Sequence, residues 1–497
     1  LGDVYKRQPP VTPVSKMSAK ISFARILAYW AERNPEAPAL TFGDRTVSYV
    51  ELEASSNRLA RAYKSLGVQD GDFVTIALPN SIEFVEASYA AWKLGAVPQP
   101  VSSKLPKLER DAIIEVGQPR LVVGVEDEPA GVKVIPAGFD ASGFDDSPLP
   151  DITARYMKAM TSGGSTGRPK LIVAEDPAEI DPETPFVVMP LQKPILVPGP
   201  LYHNGPFLFI WAGLGNGNHV VFTERFDAAE TLKLMEQYRI DLVYMVPTMM
   251  QRIWQMPKEV RATADLSALR MVFHLAAPIS QWLKEAWINW LGAERIWELY
   301  GGTEAQGFTI ISGEEWLQHR GSVGKPIQGS QMKIVDERGN TLPPNEIGEI
   351  FMMPETGAGS TYHYMGAEAT ADAEGWESLG DMGYLDEEGY LYLTDRRTDM
   401  ILCGGANVFP AEVEGAIEAY PGVRSCAVIG LPHEDLGSVV HAIIDIAGRE
   451  ISEQDILDHL AERLVRYKIP RSMEFVAEPL RDDAGKVRRT ALREERL

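Results

Sequence analysis

His219-Val-Val-Phe-Thr223, Leu242-Val-Tyr-Met-Val246, Arg270-Met-Val-Phe-His-Leu275 and Ile296-Trp-Glu-Leu299 are apolar runs of strand length, and the stretch that contains them, residues 219–299, decides the fold class. Between them, residues 228–238, 249–256 and 280–291 place apolar side chains at helical spacing. Strands without polar alternation are buried on both faces, so this alternation predicts a parallel sheet covered by helices. The same pattern runs upstream. Residues 24–32, 49–66 and 82–94 read as helices, the last with Ile82, Val85, Tyr89 and Trp92 on one face, while Phe73-Val-Thr-Ile-Ala-Leu78 and Arg120-Leu-Val-Val-Gly124 read as buried strands.

The chain has 497 residues, and single cores stop growing at about 250–300 residues. More than one domain is therefore expected. After Asp395 the elements shorten: a strand at 389–394 is followed by short elements at 423–429, 440–446, 451–464 and 473–476. The expected architecture is α/β, with a large N-terminal domain (17–394) of parallel-type sheets covered by helices and a small mobile α+β C-terminal domain (395–497). The polar cluster Thr394-Asp-Arg-Arg-Thr-Asp399 is the expected hinge. Leu1-Gly-Asp-Val-Tyr-Lys-Arg-Gln8 has no initiator Met, apolar region or cleavage pattern, so residues 1–16 read as a non-native or disordered extension before Met17.

Composition narrows the partners. A formal charge of −22 repels nucleic acid and anionic membranes, so any phosphate-bearing ligand has to be held by local cations. The longest apolar run, Phe207-Leu-Phe-Ile-Trp-Ala212, is far short of the ~18–20 residues that span a bilayer, and no integral membrane segment is expected. Two cysteines, Cys403 and Cys426, cannot form a disulfide framework and fit a reducing, cytoplasmic setting.

Thr161-Ser-Gly-Gly-Ser-Thr-Gly-Arg-Pro-Lys170 packs hydroxyls, glycines and one lysine together. Glycines let N–H groups close around phosphate oxygens, and Lys170 adds a point charge. Small polar residues with Gly and Pro also make ordinary surface loops. The kinase or NTPase phosphate loop is excluded, because Arg168-Pro169 separates Gly167 from Lys170 and Leu171 stands where the metal-binding hydroxyl belongs.

Four further segments follow in order: Pro198-Gly-Pro-Leu-Tyr-His-Asn-Gly-Pro206, Glu298-Leu-Tyr-Gly-Gly-Thr-Glu304, Leu379-Gly-Asp-Met-Gly-Tyr384 running on to 394–407, and Gly485-Lys-Val-Arg-Arg489. Together with the Thr161 loop they resemble the adenylate-forming superfamily of acyl-CoA synthetases, aryl-acid ligases, adenylation domains and luciferases, over nearly the whole chain from Met17. Gly199-Pro-Leu-Tyr-His-Asn-Gly205, Glu315-Trp-Leu-Gln-His-Arg-Gly-Ser-Val-Gly324 and His433-Glu-Asp-Leu-Gly437 look most like the bile-acid and steroid-type carboxylic acid CoA ligases.

The resemblance implies an AMP-forming acid–thiol ligase that uses ATP, Mg2+ and coenzyme A to make an acyl-adenylate and then an acyl-CoA. By the same resemblance, Ser162, Gly163, Gly164, Ser165, Thr166, Gly167 and Lys170 hold the β- and γ-phosphates, Thr303 contacts the α-phosphate, and Glu304 binds the metal. Asp381 takes the ribose hydroxyls with Arg396 nearby, and Ala276, Ala277, Pro278, Glu298, Leu299, Tyr300 and Gly301 frame the adenine. Lys486 enters between the α-phosphate and the substrate carboxylate, and Gly404, Gly405, Ala406 and Asn407 face the CoA channel after the small domain rotates. Relatives often carry Asp or Lys where Thr398 stands, and Ser where Gly163 stands.

The acyl pocket is expected at His203, Asn204, Phe207, Trp211, Val246, Thr248 and Gly302, with the Gly301-Gly302 pair leaving room for a bulky acid. The ordinary readings stay open beside these roles: His203 as a structural histidine, Tyr300 as a core tyrosine, the aromatics as core, Asp381 as a turn aspartate, Glu304 as a solvated helix-start carboxylate. Lys486, with Arg481, Arg488 and Arg489, also reads as a solvated basic tail. No acidic residue near His203 is placed to pair with an α-ammonium, which disfavours amino-acid substrates. A carrier-protein acceptor and a silent nucleotide-binding regulator are the alternatives, and a homodimer is compatible with the sequence.

Overall fold

The computed structural model describes residues 20–163, 169–396, 399–403, 406–433, 436–481 and 485–497. The N-terminal part opens with a four-stranded parallel sheet in the order Val97–Pro100, Phe73–Ile76, Leu121–Val123, Lys133–Ile135. Helices Tyr49–Ser65 and Ile82–Trp92 begin where the sequence supplies N-caps. Ser48 and Glu51 form a reciprocal capping box, and the Ser81 hydroxyl accepts from the Phe84 N–H.

The second sheet is larger and mixed. Pro38–Phe42, His219–Phe222, Pro194–Val197, Leu242–Met245, Met271–His274 and Ile296–Gly301 are parallel neighbours in that order. From Ile296–Gly301 onward it continues antiparallel through Phe308–Ser312, Ser322–Pro326, Leu391–Arg396, Glu377–Leu385, Gly348–Met353 and Gln331–Val335. These half-polar strands carry no long apolar run, so the sequence reading, tuned to buried strands, recovered only Leu391–Arg396 among them. A three-stranded antiparallel sheet joins Tyr362–Met365, Pro169–Ala174 and Ala159–Gly163.

The main core lies between the sheets. Helix Asn204–Gly215 is apolar all round and accordingly buried. Gly213 lets it lie directly on the sheet, since a Cβ there would meet Ile195 Cδ1 at 2.6 Å. Phe23 packs on Trp92 and Trp211 at 4.8 and 4.6 Å between ring centroids. Each such side chain contributes about 1.5–3 kcal/mol by leaving water.

The small C-terminal domain is an α+β unit. Its five-stranded sheet runs Ala406–Val408, Ile401–Cys403, Gly437–Asp445, Ser425–His433, with Ser472–Val476 parallel to Gly437–Asp445. Helices Pro410–Glu418 and Glu453–Ala461 bury Val413, Ile417, Ile456 and Leu460 against it. Among the described residues, no helix is long and apolar enough to cross a membrane.

Candidate active site

The segments singled out in the sequence follow the C-terminal ends of neighbouring parallel strands. Pro198–His203 follow Pro194–Val197, Val246 and Thr248 follow Leu242–Met245, Ala276–Pro278 follow Met271–His274, and Gly302–Glu304 follow Ile296–Gly301. In parallel sheets this is the edge where loops converge and ligands bind. Two non-glycine residues there hold positive φ, Ala276 at 74° and Ala305 at 58°, local strain of the kind that accumulates at ligand sites.

Glu304 is 7% exposed. Its Oε1 accepts from the Tyr364 hydroxyl at 2.6 Å and stands 3.9 Å from Lys170 Nζ. That ammonium lies 3.7 Å above the Tyr364 ring. Burial first, and the Glu304 charge second, push the Tyr364 hydroxyl far above the ordinary phenol range, so it remains a donor. Thr361 Oγ1 donates to the Glu304 carbonyl at 2.8 Å, which fixes the turn.

The Tyr300 hydroxyl donates to Asp381 Oδ2 at 2.8 Å. Its ring packs against the cluster of Val323, Ile350 and Leu391. Tyr300 is thus partly core and partly a strut that orients the carboxylate. In register, Asp381 faces Arg396 across the ladder, while the Arg396 side chain lies outside the described part. Ser162 pairs with Lys170 and Gly163 with Pro169. Gly164, Ser165, Thr166 and Gly167, which connect these strands, lie outside the described residues, as do Gly404 and Gly405. Ala406 and Asn407 pair with Cys403 and Leu402 on a hairpin of the small domain.

The Glu298 carboxylate accepts a hydrogen bond from the Lys284 ammonium, and His274 Nε2 lies 3.9 Å away. Lys284 and His274 are fully buried. Burial, and then Lys284, hold the His274 imidazole neutral. The side chain of Glu298 is therefore engaged inside the fold.

Of the expected acyl-pocket residues, Phe207 and Trp211 are each 3% exposed and belong to the aromatic core. His203 precedes helix Asn204–Gly215, with its ring 4.5 Å from that of Tyr202. Gly302 leaves room for the Glu304 carboxylate, because a Cβ there would meet Oε2 at 2.9 Å. Asn204 Oδ1 accepts from Lys158 Nζ. Lys158, Tyr364 and Thr361 are the residues that sequence reasoning missed. The available signal for Lys158 was one lysine in the apolar run Tyr156-Met-Lys-Ala-Met160.

The small domain reaches this rim. A Cβ on Gly485 would lie 3.0 Å from Thr248 Oγ1 and 3.7 Å from Val246 Cγ2, and Gly485 has φ +79°. Only glycine combines that backbone with so close an approach. Lys486 follows directly. Its loop is clamped from both sides: Arg481 contacts Glu414 and Glu418 at 3.3 Å and donates to the Gly485 carbonyl at 3.3 Å, while Arg489 contacts Asp399 at 2.9 Å and Glu414 at 2.8 Å. Arg481 and Arg489 are thus parts of a buried ion network, whereas Arg488 is exposed.

Known proteins resemble this chain over most of its length. Residues 27–357 match the model of the AMP-binding enzyme family and residues 412–486 that of the AMP-binding enzyme C-terminal domain. The chain is 31% identical to a feruloyl-CoA synthase of an Amycolatopsis species, over 92% of this chain and 95% of that one. It is 30% identical to the long-chain-fatty-acid–CoA ligase FadD13 of Mycobacterium tuberculosis, over 91% and 93% of the two chains. It is also similar to the solved o-succinylbenzoate CoA synthetase of Bacillus subtilis in complex with its acyl-adenylate intermediate, at 26% identity and a TM-score of 0.79, covering 95% and 98%. The chain belongs to the AMP-binding enzyme family and is an AMP-forming acid–thiol ligase of the CoA synthetase type.

Proposed function

We propose that the rim activates a carboxylic acid with ATP and then transfers the acyl group to coenzyme A. The observation that carries this reading is Gly485 seated against Val246 and Thr248, which brings Lys486 to the strand ends that also present Glu304 and Asn204. In the first step a carboxylate oxygen attacks the α-phosphorus, the α–β phosphoanhydride bond breaks, and pyrophosphate leaves. A carboxylate is ionised at neutral pH, so no base is needed. The obstacle is the approach of one anion to another, which positioning and fixed positive groups overcome.

In this reading Lys486 bridges the carboxylate and the α-phosphate, with Thr303 beside it. Lys170 and the segment Ser162–Gly167 hold the β- and γ-phosphates. Asp381, oriented by Tyr300, takes the ribose hydroxyls next to Arg396. Ala276–Pro278 and Leu299–Gly301 frame the adenine. Among the described residues no three His, Cys, Asp or Glu side chains gather into a metal cage. One buried carboxylate, Glu304, fits Mg2+, which keeps waters and substrate phosphate oxygens as its other ligands. When bound, the ion neutralises phosphate charge. In the second step the CoA thiol sulfur attacks the acyl carbon and AMP leaves, after the small domain (395–497) turns on the large one (17–394) and presents Gly404, Gly405, Ala406 and Asn407.

The acid is a bulky one of the steroid or bile-acid, fatty or aryl kind, and the fatty-acid and feruloyl relatives support the last two. Buried, free Cys403 and Cys426 support a reducing cytoplasm. A homodimer is testable by light scattering. The deciding experiment is ATP–pyrophosphate exchange and thioester formation with a panel of bile, steroid side-chain, fatty and aryl acids, using wild type and Lys486→Ala. We expect acid-dependent exchange and thioester in the wild type, with exchange lower in the variant by about 10²–10³. Exchange without thioester points to a carrier protein as acceptor. No exchange with any acid, alongside tight nucleotide binding, overturns the reading in favour of a silent nucleotide-binding regulator.

A further inference from the structure

Among the described residues three lysines are buried, Lys93, Lys158 and Lys284, at 3%, 4% and 0% exposure. An ammonium taken out of water costs several kcal/mol unless it is paired, so each calls for a counter-charge. Two have one inside the chain. Lys93 Nζ is 2.7 Å from Glu53 Oε2 and donates to the Ala24 carbonyl at 3.1 Å, while Lys284 donates to Glu298. Lys158 differs. Among the described residues its ammonium donates only to the neutral Asn204 Oδ1 and has no carboxylate within ion-pair distance; Asp176 and Glu304 act on it from farther away. Burial pulls it down to about 8.

The position of this cation is informative. Asn204 opens helix Asn204–Gly215 beyond the end of strand Pro194–Val197, whose parallel neighbour Leu242–Met245 leads to the Val246 and Thr248 that receive Gly485. Lysine has donors only, so the oxygen of the Asn204 amide faces Lys158 and its NH2 group remains to donate elsewhere. An ammonium and an amide NH2 thus stand side by side, on the same rim as Lys486. That pair suits an oxygen anion and repels a neighbouring cation.

We propose that Lys158 and Asn204 form the acid-binding end of this site, where they take the carboxylate of the substrate and reject acids bearing an α-ammonium. The inference rests on the reading of the site as an acid-activating ligase. It assigns to Lys158 the missing counter-ion: the substrate itself.

The test uses Lys158→Met and Lys158→Arg in the full chain, with ATP–pyrophosphate exchange on ferulate and laurate, and on 3-phenylpropanoate against phenylalanine. Lys158→Met is expected to raise the KM of the acid at least tenfold while leaving the KM of ATP within twofold, and to narrow the preference for 3-phenylpropanoate over phenylalanine. Lys158→Arg, which keeps the charge, should retain that preference. A lysine that merely supports the fold would instead lower the melting temperature and shift both KM values together, in Met and Arg variants alike, and that result overturns the proposal. Unchanged acid KM in an active Lys158→Met enzyme overturns it too while leaving the ligase reading intact. A wild type that exchanges with no acid removes both.

Discussion

Two glutamates of one segment, Glu298 and Glu304, are each served by a lysine, and the two pairs do opposite things. Glu298 lies within strand Ile296–Gly301 and is hydrogen-bonded to the fully buried Lys284 beneath the rim. Glu304 lies just past the strand end. Lys170 stands 3.9 Å from it, poised over the Tyr364 ring with its side chain 21% exposed. The inner pair is closed upon itself and locks helix Gln281–Leu291 to the sheet. The outer pair stands farther apart, with the Glu304 carboxylate held by the Tyr364 hydroxyl and its turn fixed by Thr361. The same residue types thus close into a buried pair inside the fold and stand apart at the strand ends, where the proposed chemistry needs them.

Removing one partner of the inner pair should have the largest effect. Glu298→Ala leaves the Lys284 ammonium buried and unpaired, and about 3–5 kcal/mol of stability should be lost. Chemical denaturation reads this, and the double variant Glu298→Leu with Lys284→Met should recover most of the loss, since apolar replacement of a buried pair is often neutral. Wild-type stability for Glu298→Ala would dissolve the contrast.

At the outer pair the loss should appear in rate. Glu304→Gln keeps shape and removes charge, so exchange should fall by about 10²–10³, the cost of deleting one preorganised electrostatic group, while the denaturation midpoint stays near that of wild type. A large stability loss without a rate loss would make Glu304 a second structural glutamate.

The smallest effect should come from Tyr300→Phe, which removes the 2.8 Å hydrogen bond to Asp381. One such bond is worth about 1 kcal/mol, so the KM of ATP should rise about fivefold with the acid KM unchanged. An equal rise in both would mean that the ring, through its packing with Val323 and Ile350, matters more than the hydroxyl.

Much of this organisation was legible beforehand. Leu242–Met245 and Met271–His274 lie in apolar runs, the mark of strands buried on both faces, and helix Tyr49–Ser65 was expected over 49–66 from its apolar spacing. The antiparallel half of the large sheet was less legible, because strands such as Gly348–Met353 alternate buried and half-exposed residues over short lengths. Tyr300 could be read as framing the adenine or as core, and the structure adds a hydrogen bond to a partner 81 residues away. Lys158 passed unnoticed because its apolar sequence neighbours only hint at burial; what makes it unusual is its buried place beside Asn204.

The sequence by itself determined the α/β class, the order of the segments and the residue types at the rim, since periodicity, caps and glycine-rich turns act over a few residues. Tertiary structure alone decided which lysine meets which carboxylate, that Gly485, next to Lys486, seats against Thr248, and that Lys158 stands beside Asn204 with no carboxylate within ion-pair distance among the described residues. Those facts join residues far apart along the chain. Desolvation and close packing create them only once the strands have aligned their ends on a common edge.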